Sequence, residues 1–184
     1  MWHGGDVATP EDRAARFEAL VRAELLEPLR RFLARRTDPA TADDVLAETL
    51  LVCWRRLDDV PDPALPWAYG VARHCLANAA RSVRRAERVV GRVATVDPPR
   101  ATTDQPGGRD DALHDALARL RHEDAELLRL WVWEQLTPSE IATVFGVTPN
   151  AVSIRLHRAR QRLREELGKV EAGAGHEESE GGAP

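Results

Sequence analysis

The chain of 184 residues is long enough for one or two small domains, and its formal net charge of -4 does not by itself suggest a nucleic-acid binder. That average hides an asymmetry, because residues 81–92 and 155–164 are strongly basic while the segment after Gly168 is acidic. No apolar run approaches the roughly 18 residues that a transmembrane helix needs. No secretory signal peptide is apparent either. The sequence therefore predicts a soluble cytoplasmic protein without membrane insertion.

The two cysteines, Cys53 and Cys75, both occur within apolar helical patterns. We therefore expect small buried hydrophobic residues rather than a disulfide or a metal site. The six histidines are not spaced as metal ligands. The sequence predicts no metal site and no cofactor.

A first helix is predicted from Thr9 and Pro10 to about Arg35, because apolar residues recur along it at helical spacing. Pro28 lies inside this pattern, and we expect it to kink or divide the helix.

A second helix is predicted to begin at Thr41 and to continue to about Leu57. Asp43, Asp44 and Glu48 form an acidic surface near its start. The two aspartates have an alternative explanation, since acidic residues near a helix N-terminus favour the helix dipole. That alternative explains Glu48, one turn further along, less well.

A proline-rich loop, residues 58–66, precedes a third predicted helix from Trp67 to about Arg88. The first half of this helix is aromatic and apolar, and its second half is basic. The plain interpretation buries Trp67 and exposes the arginines to solvent. The alternative is a DNA-binding face, in which aromatic rings stack on unpaired bases and arginines bind phosphates. The residue types favour the second interpretation.

Residues 91–110 have no apolar period and are rich in proline, glycine and threonine, so they are predicted to form a flexible linker. A second domain, residues 111–168, is predicted to begin with helices over 111–120 and about 121–135. The glycine- and glutamate-rich residues 169–184 are predicted to be a disordered acidic tail.

Two helices joined by a tight turn are predicted between Leu136 and Arg164. Thr137 and Glu140 form a capping box, and Gly146 suits a turn with positive φ. Thr148 and Pro149 then start a second helix whose one side is apolar and whose other sides carry arginines. This is the pattern of a helix-turn-helix with a basic recognition helix. The alternative is an ordinary helical hairpin with a solvated basic face.

Taken together, three stretches of the chain resemble RNA polymerase sigma factors of the sigma-70 family, in the extracytoplasmic-function (ECF) group. They are residues 42–50 (ADDVLAETL), residues 67–74 (WAYGVARH) and residues 136–164. The resemblance implies an all-α protein of two small helical domains, with sigma region 2 over residues 10–90 and sigma region 4 over residues 111–168. It also implies a non-enzymatic initiation factor whose partners are core RNA polymerase, promoter DNA and an anti-sigma factor.

The resemblance assigns roles to particular residues. The acidic residues Asp43, Asp44 and Glu48 are implied to bind the polymerase clamp. The implied -10 contacts are Trp67, Tyr69, Arg73, His74, Asn78, Arg81, Arg84 and Arg85. The implied -35 contacts are Thr137, Ser139, Asn150, Ser153, Ile154, Arg155, His157, Arg158 and Arg160. Among the latter, Arg158 is expected to pair with guanine, and Arg155 and Arg160 are expected to position the DNA backbone.

Two other classes of function are alternatives to the one that this resemblance implies. A stand-alone helix-turn-helix regulator explains residues 136–164 equally well but leaves the acidic and aromatic-basic helices of the N-terminal half without a role. An enzyme is disfavoured because neither His74 nor His157 has a nucleophile or carboxylate at a motif spacing. Ala47, Ala68 and His74 depart from the residues usual in the family, which leaves room for a weaker polymerase contact or a different -10 preference.

Overall fold

The computed structural model describes residues 9–90 and 108–177, and every regular element in these two ranges is a helix. The chain divides into two compact units, Met1–Thr102 and Thr103–Pro184. Their described parts are here termed the N-terminal domain, residues 9–90, and the C-terminal domain, residues 108–177. The predicted all-α fold with two helical domains is confirmed. Of the predicted linker, residues 91–107 lie outside the described residues.

The first predicted helix is interrupted by one wider turn. Helix α1 covers Pro10–Leu20 and helix α2 covers Leu26–Ala34, with a π-helical turn, Val21–Leu25, between them. Pro28, in the first turn of α2, cannot donate a backbone hydrogen bond, and its ring crowds the carbonyl one turn earlier. A wider turn before the proline relieves this crowding. The helix is therefore divided, as predicted, and the break lies at Val21–Leu25, immediately before the turn that contains Pro28.

Helix α3 covers Pro39–Arg55, so it begins before the predicted start at Thr41, and its N-cap is Asp38. The Asp38 side chain accepts a hydrogen bond from the Thr41 N–H at 3.0 Å. Pro39 occupies the first helical position, where its missing N–H has no cost.

A short 3-10 turn, Leu57–Asp59, leads into helix α4, which covers Ala64–Val90. The helix begins before the predicted start at Trp67. Pro66 does not prevent this, because it falls within the first helical turn, where backbone N–H groups have no intrahelical partner.

Helices α2, α3 and α4 enclose the core of the N-terminal domain. Phe32 is fully buried, and its ring lies 4.8 Å from the ring of Tyr69. Cys53 and Cys75 are buried free thiols in this core, which confirms that they are small buried hydrophobic residues. The other buried apolar side chains are Leu25, Leu29, Leu33, Val45, Leu46, Leu57, Ala64, Ala68 and Ala72.

The C-terminal domain consists of four helices. They are α5 (Gly108–Arg119), α6 (His122–Val132), α7 (Pro138–Phe145) and α8 (Pro149–Glu177). Their buried apolar residues are Ala116, Leu117, Ala125, Leu127, Leu128, Leu130, Leu136, Ile141, Ala142, Val144, Val152, Leu156 and Ala159. None of the helices described in either domain is long and apolar enough to cross a membrane.

Helix α8 continues past Gly168 to Glu177, where a disordered tail was predicted from residue 169. The prediction is therefore wrong for residues 169–177, and residues 178–184 lie outside the described residues. A glycine inside a helix costs only about 1 kcal/mol. Lys169 donates to the Glu166 carboxylate at 2.6 Å and so bridges this position.

Candidate polymerase and nucleic-acid interfaces

The acidic residues predicted to bind polymerase lie on the exposed side of α3. Asp43, Asp44 and Glu48 are all exposed, whereas Val45 is buried. Because α3 begins at Pro39, both aspartates lie beyond its first turn, which contains no acidic residue. The helix-dipole effect fades outside the terminal turns, so it does not account for these aspartates. With Glu48 they form one exposed anionic patch, here termed the acidic surface.

A contact that we did not predict from the sequence ties α1 to the end of α3. The Arg13 guanidinium pairs with the Asp58 carboxylate and donates to the Trp54 carbonyl at 2.9 Å. Arg16 approaches the same carboxylate at 3.2 Å. The hydrogen bond from Arg13 and the positive charges of both arginines hold the pKa of Asp58 below its usual range. Asp58, the first residue of the proline-rich loop, is thus engaged in packing α1.

The two aromatic candidates at the start of α4 have different environments. Tyr69 is only 2% exposed and packs its ring on Phe32, so the structure places this predicted -10 contact in the core rather than on the surface. Trp67 is half-buried, and the Arg56 guanidinium lies 5.6 Å from the centroid of its ring. A partly exposed aromatic ring is suited to stacking on a base. Trp67 therefore stays the aromatic candidate for contact with an unpaired strand.

Most of the polar candidates on α4 are accessible to solvent. The exposed ones are His74, Asn78, Arg81, Arg84 and Arg85. The Asn78 side-chain oxygen accepts a hydrogen bond from Arg81. Arg73 is half-buried. The exposed arginines make the second half of α4 one cationic surface, which is what phosphate binding requires.

Local side-chain chemistry defines both ends of α7. The Thr137 hydroxyl accepts from the Glu140 N–H at 3.3 Å, and the Glu140 carboxylate accepts from the Thr137 N–H at 2.8 Å. This is the predicted capping box. At the other end Gly146 has a φ of 66°, and the Val147 N–H donates to the Ala142 carbonyl at 3.0 Å. This pattern is a Schellman motif, whose left-handed residue is most often glycine.

The first half of α8 presents a polar face opposite the core. A second cap starts the helix, where the Thr148 hydroxyl accepts from the Ala151 N–H at 3.3 Å. Val152, Leu156 and Ala159 are buried, which fixes the rotation of α8 about its axis. The exposed candidates on α8 are Asn150, Ser153, Ile154, His157 and Arg158, and those at the start of α7 are Thr137 and Ser139. A recognition helix contacts base edges with such an exposed N-terminal half.

The two arginines predicted to position the DNA backbone have partners within the domain. Arg155 donates to Glu123 at 2.7 Å. The guanidinium of Arg160, an exposed residue, lies 4.6 Å from the centroid of the Trp131 ring. Both guanidinium groups are therefore held at the flanks of α8 before any DNA is bound.

Two carboxylates in the first turn of α6 anchor α8, and neither was predicted from the sequence. Glu123 pairs with Arg155, and Asp124 pairs with Arg162 at 2.5 Å. Asp124 is only 7% exposed, and a buried carboxylate is costly unless it is paired. Arg155 and Arg162 lie about two helical turns apart, so the two pairs fix the tilt of α8 against α6. Acidic residues in a first turn already have a local explanation in the helix dipole, which hides this role in the sequence.

The thiols show no sign of reactivity. Burial raises the pKa of Cys53 to about 11 and also raises the pKa of Cys75. Both cysteines therefore remain protonated and inert at neutral pH. Within residues 9–90 and 108–177, no group of three or more histidine, cysteine or acidic side chains is placed to hold a metal ion.

Comparison with known proteins identifies the family. A family model described as "Sigma-70, region 4" matches residues 110–163. The chain is 34% identical over 167 residues to the ECF RNA polymerase sigma factor SigL of Mycobacterium tuberculosis, and the match covers 84% of this chain and 94% of SigL. The chain is an ECF sigma factor of the sigma-70 family. The sigma factor is also 34% identical over 157 residues to the RNA polymerase sigma-E factor of Streptomyces avermitilis, covering 82% and 84% of the two chains.

A solved structure agrees with this assignment at the level of the fold. The sigma factor RpoE from Bartonella quintana, crystallised with the anti-sigma factor NepR, aligns with a TM-score of 0.56 and 20% identity. The alignment covers 86% of this sigma factor and 98% of RpoE.

Family membership decides between the classes of function considered above. The sigma factor is an RNA polymerase sigma factor for transcription initiation and not an enzyme, as the resemblance implied. The match to SigL extends over most of the chain rather than over the helix-turn-helix alone. A stand-alone helix-turn-helix regulator is therefore not supported.

Proposed function

We propose that this sigma factor binds core RNA polymerase through the acidic surface of α3, directs it to promoters by recognising -10 and -35 elements, and promotes DNA melting. The observation that carries the proposal is the exposed polar face on the first half of α8, held outward by buried Val152, Leu156 and Ala159. A helix presented in this way fits the major groove and places its side chains beside base edges.

The -35 element is contacted by α7 and α8. The backbone N–H and hydroxyl of Ser139, close to Thr137 at the start of α7, bind a phosphate. The Ser153 hydroxyl donates to the Pro149 carbonyl at 3.0 Å, which leaves its oxygen as an acceptor for a base amino group. Asn150, Ile154 and His157 contact the neighbouring bases, while Arg155 and Arg160 position the backbone.

The -10 element is contacted by α4. Unstacking a base costs a few kcal/mol, so melting needs surfaces that receive the unpaired strand. Trp67 stacks on a base, and His74 and Asn78 contact polar base edges. Neighbouring arginines of α4 bind the phosphates of the unpaired strand. These arginines are Arg73, Arg81, Arg84 and Arg85. Tyr69 acts from the core, where it supports α4 against Phe32.

The acidic surface binds basic residues of core polymerase, and opposite potentials speed and orient this docking. The variant Asp44→Arg plus Glu48→Arg is expected to weaken polymerase binding roughly 10- to 100-fold, because like charges placed together cost several kcal/mol. The matched control, Glu11→Arg plus Glu18→Arg, makes the same change in net charge on exposed positions of α1. Binding is measured by fluorescence anisotropy at two salt concentrations. Equal losses in both variants, or none in the first, contradict the assignment.

An anti-sigma factor is the second protein partner that we propose. The support is the neighbour RpoE, which was crystallised with the anti-sigma factor NepR.

Run-off transcription tests the proposal as a whole. The sigma factor is added to core polymerase on a library of genomic fragments, and transcript starts are mapped. We expect starts that depend on the sigma factor and that share two upstream sequence elements. If no start depends on it although the chain binds duplex DNA alone, the chain acts as a regulator and the proposal is wrong.

A further inference from the structure

A cleft of about 300 Å³ lies between the first turn of α6 and the side of α8. Four guanidinium groups, two carboxylates and one imidazole line it, from Arg121, Arg155, Arg158, Arg162, Glu123, Asp124 and His122. None of the roles implied by the family resemblance involves this cleft as a unit, and only Arg155 and Arg158 among its residues were candidates from the sequence.

The charges in the cleft do not cancel. Arg155 is paired with Glu123 at 2.7 Å, and Arg162 is paired with Asp124 at 2.5 Å. Arg121 and Arg158 are exposed, and neither forms an ion pair with a carboxylate in the described parts of the chain. Two positive charges are therefore left unbalanced around one concave space. Such a space attracts an anion. The carboxylates of Glu123 and Asp124 are paired with Arg155 and Arg162, so they do not neutralise Arg121 and Arg158.

We propose that this cleft binds a backbone phosphate of duplex DNA, with Arg121 and Arg158 as the donors. The inference rests on the -35 recognition proposed above and deepens it by naming a phosphate contact outside the base-contacting face. Arg158 directly follows His157 on the exposed half of α8, so the phosphate that it binds flanks the groove that α8 enters. Guanidinium groups bind phosphate oxygens through paired, charge-assisted hydrogen bonds.

This inference changes the role expected for Arg158. A single guanidinium group satisfies both major-groove acceptors of guanine, so guanine does not bind a second guanidinium group there. Arg121 precedes α6 and Arg158 lies on α8, so two elements supply donors to one cleft. A phosphate has anionic oxygens for both. Contacts to phosphate strengthen binding and set register without distinguishing sequences.

The test measures how salt weakens the binding of the full-length chain to short labelled duplexes of several unrelated sequences. Each phosphate contact contributes about 0.9 to the slope of log affinity against log salt concentration. The variants are Arg121→Ala, Arg158→Ala and the double variant. The matched control is Arg164→Ala, which removes an exposed arginine of α8 outside the cleft. Circular dichroism verifies that all variants remain folded.

In the double variant the magnitude of the slope is expected to fall by about 0.9, equally for every duplex. The slope of each single variant is expected to fall by no more than that amount, and the slope of Arg164→Ala is expected to be unchanged. A double variant with the wild-type slope overturns the phosphate assignment alone. So does an Arg158→Ala variant that weakens one duplex and spares the others, because that pattern marks a base contact. Failure of the wild-type chain and of its polymerase complex to bind any duplex overturns the proposed -35 recognition itself.

A second arm separates DNA from a free anion as the occupant. Inorganic phosphate is titrated at constant ionic strength while the arginine Nε–H signals are followed by NMR. Weak, non-saturating shifts are expected, because one free phosphate lacks the neighbouring contacts that a duplex provides. Saturation by inorganic phosphate at concentrations below those required for the duplex would assign the cleft to a free anion and overturn the proposal.

Discussion

Helices α8 and α4 carry the two proposed DNA-contacting surfaces, and they differ in what determines their exposed faces. In α8 the face follows from nearby residues, because Gly146 sets the turn and Thr148 caps the helix. In α4 the burial of the Tyr69 ring depends on another helix, α2, because Phe32 packs against this ring. Turn and cap chemistry is encoded in a few adjacent residues. Burial of one particular ring depends on what a distant helix provides.

Truncation of Tyr69 is the strongest way to test this contrast. Tyr69→Ala is expected to destabilise the N-terminal domain by about 3–5 kcal/mol, because it leaves a cavity against Phe32. Hydrogen exchange along a urea series, resolved by peptide, reports the stability of α4 and α8 separately. Protection of α4 should be lost at lower urea concentration, and protection of α8 should be unchanged.

Two control variants sharpen the interpretation of that result. Tyr69→Phe keeps the ring and is expected to cost only about 1 kcal/mol, the typical net value of one hydrogen bond. Trp67→Ala removes a half-buried ring from the same helix and should cost less than Tyr69→Ala. If Tyr69→Ala leaves α4 stable but impairs promoter opening, Tyr69 contacts DNA after all and its assignment to the core is wrong.

The same contrast explains which parts of the fold and of the site were predictable. The capping box of Thr137 and Glu140 and the turn at Gly146 were predicted correctly because each is local. The start of α3 was missed because Asp38 and Thr41 are both good caps, and only the fold selects Asp38.

The anchoring of α8 was not predictable for a related reason. Its ion pairs join residues 32 and 38 positions apart in the sequence. Nothing in the sequence marks Glu123 and Asp124 as partners of Arg155 and Arg162, since acidic first turns are common. The cleft that these pairs border cannot be predicted from the sequence for the same reason.

A smaller effect tests the local side of the comparison. Gly146→Ala is expected to destabilise the C-terminal domain by about 1–2 kcal/mol, because an L-residue is strained at a φ of 66°. A Cβ at this position would meet no atom within 4 Å, so a clash does not contribute. Urea unfolding with peptide-resolved hydrogen exchange of α7 and α8 measures the change.

The matched control for Gly146 is Gly168, which lies within α8 and also has no atom within 4 Å of an added Cβ. Gly168→Ala is expected to stabilise α8 by about 0.5–1 kcal/mol, since alanine favours the helix. Opposite signs at two equally open positions isolate the backbone conformation as the cause. Destabilisation by both substitutions would show that open space, rather than φ, was misjudged.

The smallest expected effect concerns the contact between Asp58 and Arg13, which joins distant segments of the N-terminal domain at the surface. The Asp58 side chain is 67% exposed, and exposed ion pairs contribute little. The variant Asp58→Asn removes the carboxylate, and the shift in its urea midpoint relative to wild type is followed against pH.

The direction of this pH dependence follows from the pKa of Asp58, which folding lowers from its ordinary value of 3.8. The unfolded chain therefore binds the proton more readily, so the stabilisation is fully present above the ordinary pKa and is lost as pH falls through the folded-state pKa. The difference between wild type and Asp58→Asn should be constant from about pH 8 to pH 5 and should shrink below about pH 4. Asp12 and Asp38, whose pKa values are lowered by hydrogen bonds with Thr9 and Thr41, titrate in both proteins and cancel in this difference. A difference that grows on acidification would mean that Asp58 is not held by the arginines of α1.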